Sequence, residues 1–178
     1  LFRSPYSVNQ YELIKSIFSL EERINLLRTE MTSNSVDYSI ILSSYMTNEQ
    51  RPSAAQIIDA IKKYDNLGVV AGFSIDHHND EDLKNYRGWI KDGLVKGLKI
   101  YTGYESYYPY DQKYQKVYDV CTEFDIPIMV YNGDTLSLNG KVKYAMPIHL
   151  DEVAVDNPDL KIIMCHLGNP WITDAEEV

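Results

Sequence analysis

Cysteine is scarce in this chain: Cys121 and Cys165 are the only two in 178 residues. Two thiols make no disulfide scaffold, and no Cys-x-x-Cys spacing is present for zinc or redox exchange. A reduced, cytoplasmic setting is therefore expected. Long apolar runs are missing too, so no segment reads as a bilayer-spanning helix. The opening stretch LFRSPYSVNQ lacks the apolar core of a signal peptide. Basic clusters are absent and the net charge is −9. Nucleic acid and anionic membranes both call for cationic patches, so neither is expected as a partner. No Gly-x-Gly-x-x-Gly or Gly-x4-Gly-Lys-Ser/Thr loop is present to cradle a phosphate. The chain does not begin with Met, which reads as a fragment or a processed product.

What is present is ordinary for a globular protein: 44% hydrophobic and 24% charged residues. The length suits a single domain over 1–178 with a sizeable core. Tyrosine is abundant, at 15 residues. Packing explains that better than an aromatic-lined pocket, because Tyr is so often partly buried.

Short Val- and Ile-rich runs recur at 36–44, 67–75, 95–103, 126–133 and 160–168. Each is bounded by Gly, Asn, Asp or Pro, as buried strands are. Their starts lie about 30 residues apart, the length of one strand and its crossover helix. The intervening stretches carry helical stripes: Ile24, Leu27 and Met31; Ile57, Ile58 and Ile61; Tyr114, Val117, Tyr118 and Cys121. Further helices are expected over 79–93, over 147–158 and from 169 onward. Strands flanked by helices throughout imply a parallel sheet. That leaves an open doubly wound sheet or part of a barrel, and a whole barrel takes about 250 residues.

Several residues stand where barrel chemistry is done, at strand ends. His166 ends the run KIIMCH, placed by alternation on one face with Ile162 and Met164. Its imidazole suits metal ligation, proton transfer or substrate binding; a core histidine bonded to a backbone carbonyl is the plainer alternative. Cys165, on the opposite face, is expected to pack outward under a helix. Lys99 shares a strand face with Gly97 and Tyr101. A lysine inside a barrel needs a partner, such as a substrate carboxylate, unless it snorkels to water. The stretch SIDHHND at 74–80 offers Asp76, His77 and His78, and reads as a polar loop with Asn79 or Asp80 capping the next helix. The long loop after the fourth run is placed to cover a small substrate. Tyr101, Tyr131, Asn132, Asn169 and Trp171 are its expected binding companions.

The order Gly97-Leu98-Lys99, Pro109-Tyr110-Asp111, Pro127 to Gly133, Pro158 to Lys161 and His166-Leu167-Gly168 resembles the amidohydrolase-related family of metal-dependent enzymes. The resemblance implies an incomplete (β/α)8 TIM-type barrel of about five units, the second to sixth strands, lacking the first and the last. It implies a divalent metal, zinc first among them, and hydrolysis of a small amide, ester or lactone by metal-activated water. Non-oxidative decarboxylation on the same scaffold is the alternative, as is a metal-free relative without catalysis. Family ligands come from a His-x-His on the first strand, a His on the fifth, a His on the sixth and an Asp on the eighth. The sixth-strand His matches His166, as metal ligand and catalytic residue, with Lys99 as the second catalytic residue. Tyr131 stands where the fifth-strand His would be. A phenol, with its ordinary pKa of about 10, is a poor zinc ligand near neutrality, so Tyr131 is expected to be a pocket wall or a hydrogen-bond donor. The small-molecule partner implied leaves room for a homo-oligomer.

Overall fold

The computed structural model describes residues 18–47, 51–135 and 137–178. The N-terminal stretch read above for a signal sequence lies outside them. Five strands form one sheet: β1 (Ser39–Leu42), β2 (Leu67–Gly72), β3 (Val95–Ile100), β4 (Ile128–Val130) and β5 (Ile162–Met164). Among the described residues six helices accompany them: α1 (Leu20–Ser33), α2 (Ala54–Ile61), α3 (Asp80–Lys91), α4 (Gln115–Glu123), α5 (His149–Asp156) and α6 (Ile172–Glu176). Every pairing is parallel and the spatial order is the chain order, β1-β2-β3-β4-β5. A doubly wound sheet reverses direction once at a switch point. This one does not, and so it is an incomplete (β/α) barrel.

The helix starts follow from local chemistry. Ser19 with Glu22, Ser53 with Gln56, and Asn79 with Asp82 each form a reciprocal capping box. The loop reading of 74–80 therefore holds, with Asn79 as the cap. Asp80, Glu81 and Asp82 then place negative charge at the positive end of α3. Gly93, at φ +71°, turns the chain out of α3 into β3.

Alternation along the strands divides the sheet into two faces. Val69, Ala71, Leu98, Ile100, Ile128 and Val130 join the core beneath the helices. Tyr114, Val117, Tyr118 and Cys121 of the α4 segment meet them there, as the helical stripe requires. The buried phenols keep their hydroxyls bonded: Tyr86 donates to the Gly72 carbonyl at 2.8 Å and Tyr118 to that of Pro109 at 2.6 Å. The opposite, inner face carries Ile40, Leu42, Val70, Gly72, Lys99, Met129 and Ile163. Among the described residues no helix is long and apolar enough to cross a membrane.

The two faces should differ in stability by a measurable margin. Leu98→Ala, in the fully buried helix-facing core, should cost about 2–5 kcal/mol. Ile40→Ala, 48% exposed on the inner face, should stay within roughly 0.5–1 kcal/mol. Urea unfolding of both variants reads this, and equal costs would refute the assignment of the core.

Candidate active site

The parallel register sets the layers of the inner face. Gly72 pairs with Lys99, Lys99 with Met129, and Met129 with Ile163, so these four lie at one level. Two residues further on come Tyr101, Tyr131 and Cys165, at the C-terminal ends of β3, β4 and β5. This is the rim on which barrel enzymes assemble their sites.

Lys99 is 7% exposed. Its Nζ lies 5.1 Å from the centroid of the Tyr101 ring, a cation–π contact. Among the described residues it forms no ion pair with a carboxylate. Gly72, beside it, has a role of its own. A Cβ there would lie 2.7 Å from the Tyr45 nitrogen and 2.8 Å from the Ser43 carbonyl oxygen. Its absence lets the chain leaving β1 cross the inner face, where the Ser43 hydroxyl accepts from the Gly72 N–H at 3.0 Å.

The tyrosines line the rim in two ring groups. Tyr45 meets Tyr101 at 4.7 Å between ring centroids, Tyr104 meets Tyr131 edge-on at 4.8 Å, and Tyr131 meets His166 edge-on at 4.8 Å. Their hydroxyl protons are committed. Tyr101 donates to the Ser43 carbonyl at 3.1 Å and Tyr131 to the Asp134 carbonyl at 2.6 Å, while Tyr104 donates to the Tyr131 oxygen at 3.4 Å. Burial raises both principal phenols, Tyr101 to about 12 and Tyr131 further still. They are neutral ring walls whose remaining hydrogen-bonding capacity is to accept.

Cys165 and His166 correct the alternation reading. The inner face of β5 is that of Ile163 and Cys165, so Cys165 does not pack outward under a helix. It is buried on the inner side, and burial holds its thiol above the ordinary range while the Lys99 charge works the other way. His166 does not continue the face of Ile162 and Met164. The strand ends at Met164, and His166 (φ +59°) and Leu167 (φ +50°) are both left-handed within a tight helical turn over Cys165–Gly168. That turn, not strand alternation, brings the imidazole to Tyr131. Burial and the nearby Lys99 charge both push its pKa below the usual histidine range, favouring the neutral ring.

The remaining expected residues divide. Asn132 is fully buried, and neither its carboxamide oxygen nor its nitrogen has a hydrogen-bond partner among the described residues. Asn169 is exposed and its carbonyl accepts from the Asp134 N–H at 2.8 Å, tying the loop after β4 to the turn after β5. Trp171 is half-buried at the start of α6. Sequence reasoning missed Glu105 altogether. It is 6% exposed and accepts from the Ser74 hydroxyl at 2.5 Å and the Tyr114 hydroxyl at 3.2 Å. No local pattern marks it, because Ser74 comes from the preceding unit and Tyr114 from further along the same connecting segment.

A divalent metal is not accommodated by this donor set. His166 is one good ligand, but its neighbours are a neutral phenol, a thiol held protonated by burial and a cationic lysine. Among the described residues no three of His, Cys, Asp and Glu come together to hold a metal ion.

Solved structures share the fold. An uncharacterized TIM-barrel protein from Bordetella bronchiseptica superposes with a TM-score of 0.65 at 19% identity, over 88% of this chain and 56% of its own. A 5-carboxyvanillate decarboxylase from Novosphingobium aromaticivorans, complexed with manganese and 4-hydroxy-3-methoxy-5-nitrobenzoic acid, gives 0.62 at 15% identity, over 90% and 54%. A probable 2-pyrone-4,6-dicarboxylic acid hydrolase from Acinetobacter baumannii, with citric acid bound, gives 0.54 at 13%, over 82% and 48%. The chain thus spans about half the length of these proteins. No curated protein matches it in sequence. The family model for amidohydrolases matches residues 46–178, well over half of the chain, and on that match the protein belongs to the amidohydrolase family.

Proposed function

We propose that the mouth formed by Lys99, Tyr101, Tyr131 and His166 is the carboxylate-holding part of an amidohydrolase-type active site for a small organic acid. One observation carries this reading: a lysine side chain, 7% exposed on the inner face, that meets no carboxylate among the described residues. Burying such a charge alone costs several kcal/mol in general, and a ligand carboxylate would supply the missing partner. The tyrosine wall suits a flat, unsaturated or aromatic body. Carboxylic acids are bound in both ligand-containing neighbours described above, which supports the same class here.

The reaction that fits is hydrolysis of an amide, ester or lactone in that acid. Lys99 fixes the carboxylate and the rings orient the body. The neutral His166 takes a proton from the attacking water as the new C–O bond forms, and returns it to the leaving nitrogen or oxygen. An ammonium that stabilises a carboxylate in the bound state opposes loss of that same carboxylate as carbon dioxide. Decarboxylation at the group Lys99 holds is therefore the weaker reading. Asn169 and Trp171, at the loop after β5, are proposed to close over the substrate. Asn132, fully buried with its carboxamide unpartnered among the described residues, is proposed to offer its hydrogen-bonding groups to the substrate. Zinc or another divalent metal would need most of its ligands from outside the described residues, with His166 as the donor offered here. Two buried free cysteines suit the reduced cytoplasm.

Calorimetric titration with benzoate at pH 7 tests the grip. Lys99→Met should weaken binding roughly tenfold or more, and Lys99→Arg should retain part of it. Unchanged affinity in the Met variant would remove the basis of the reading. Elemental mass spectrometry after dialysis against zinc is expected to show well under one ion per chain, unaltered by His166→Asn. A stoichiometric ion lost in that variant would show that the donor set has been misjudged.

A further inference from the structure

Beside the cationic mouth lies a cavity of opposite character. It holds about 350 Å³ between the segments that follow β1, β2 and β3, and Tyr45, Asp76, His77, Tyr104, Glu105 and Tyr107 line it. Two carboxylates belong to it. Asp76 accepts from the Tyr107 hydroxyl at 2.7 Å through Oδ1. Glu105, nearly fully buried, takes the Ser74 and Tyr114 hydroxyls on its two oxygens. These neutral donors position the acids but do not balance their charge. Among the described residues neither carboxylate forms an ion pair. The two groups also oppose one another: burial, and to a lesser degree the Asp76 charge, raise the Glu105 pKa.

Among its lining residues there is no lysine or arginine. Lys113 sits 4.5 Å over the Tyr107 ring, and Arg51 lines a separate cavity against α1. A bare metal ion is a poor match, since no three ligating side chains converge among the described residues. An organic ammonium is a better one. It donates in a few directions to carboxylate oxygens with spare lone pairs, and its charged face rests on aromatic rings. Tyr45 and Tyr104 supply such rings, with the His77 ring stacked against Tyr45 at 6.3 Å.

We infer that this cavity is a binding site for a primary organic ammonium, held by Asp76 and Glu105 and packed against Tyr45 and Tyr104. The same two tyrosines back onto the mouth through Tyr101 and Tyr131. The site stands on its own residues and does not depend on the Lys99 reading.

Benzylamine, charged at pH 7, is the probe, with benzyl alcohol as its neutral counterpart, followed by calorimetry or by shifts of the tyrosine NMR signals. Benzylammonium should bind at least tenfold more tightly than the alcohol. Asp76→Asn, an exposed change that leaves the core untouched, should weaken it roughly tenfold. Glu105→Gln should do the same in protein confirmed folded by circular dichroism, and Lys99→Met should leave it unchanged. Equal binding of amine and alcohol, or full affinity in Asp76→Asn, would overturn the inference. Loss in Lys99→Met alone would also overturn it, by placing the amine in the mouth.

Discussion

A two-residue repeat, locked across five parallel strands, governs everything at the mouth. Once β2, β3, β4 and β5 are in register, Gly72, Lys99, Met129 and Ile163 share a level. The side chains two residues on, Tyr101, Tyr131 and Cys165, then crown the same face. Shifting β3 by a single residue would turn Lys99 into the apolar helix layer and both Leu98 and Ile100 out of it. The apolar core and the cationic site thus rest on one constraint. The hydrophobic cost of misregister, about 1.5–3 kcal/mol for each fully buried aliphatic side chain displaced, is what holds a lysine in place.

Charge at the rim is sorted by the tyrosines. Lys99 and His166 meet Tyr101 and Tyr131, whereas Asp76 and Glu105 share a cavity with Tyr45 and Tyr104. The phenols between them are neutral, because burial raises those of Tyr101 and Tyr131 well above physiological pH. Rings of this kind transmit little charge between compartments but offer quadrupoles to both. Opposite potentials can persist side by side without a direct Lys–carboxylate pair collapsing them.

The layer of strands and helices was legible in the sequence because its causes are local. Val–Ile runs, capping residues such as Ser53 and Asn79, and the stripe of Tyr114, Val117, Tyr118 and Cys121 carry their own signatures. Lys99 was legible for the same reason: a charge inside an apolar run is conspicuous. What escaped depended on distant partners or on backbone geometry. Cys165 reads as outward until the register with Met129 shows which face of β5 is inner. Glu105 sits in an unremarkable loop, and its role shows only once Ser74 arrives from the preceding unit and Tyr114 folds back along the same segment. The commitment of the Tyr131 hydroxyl to the Asp134 carbonyl needs a turn that no composition rule specifies.

The left-handed pair at His166 and Leu167 has a further bearing on which residues the rim tolerates. Left-handed backbone costs an ordinary side chain about 1–2 kcal/mol, and glycine escapes that cost while asparagine and aspartate bear it most easily. Variation at position 166 is therefore filtered twice, first by conformation and then by chemistry. Valine, isoleucine and threonine are disfavoured before their lack of an imidazole matters. A drift from histidine toward asparagine or glycine would keep the shape of the rim while erasing its imidazole, a path along which such a scaffold could change its chemistry without losing its fold.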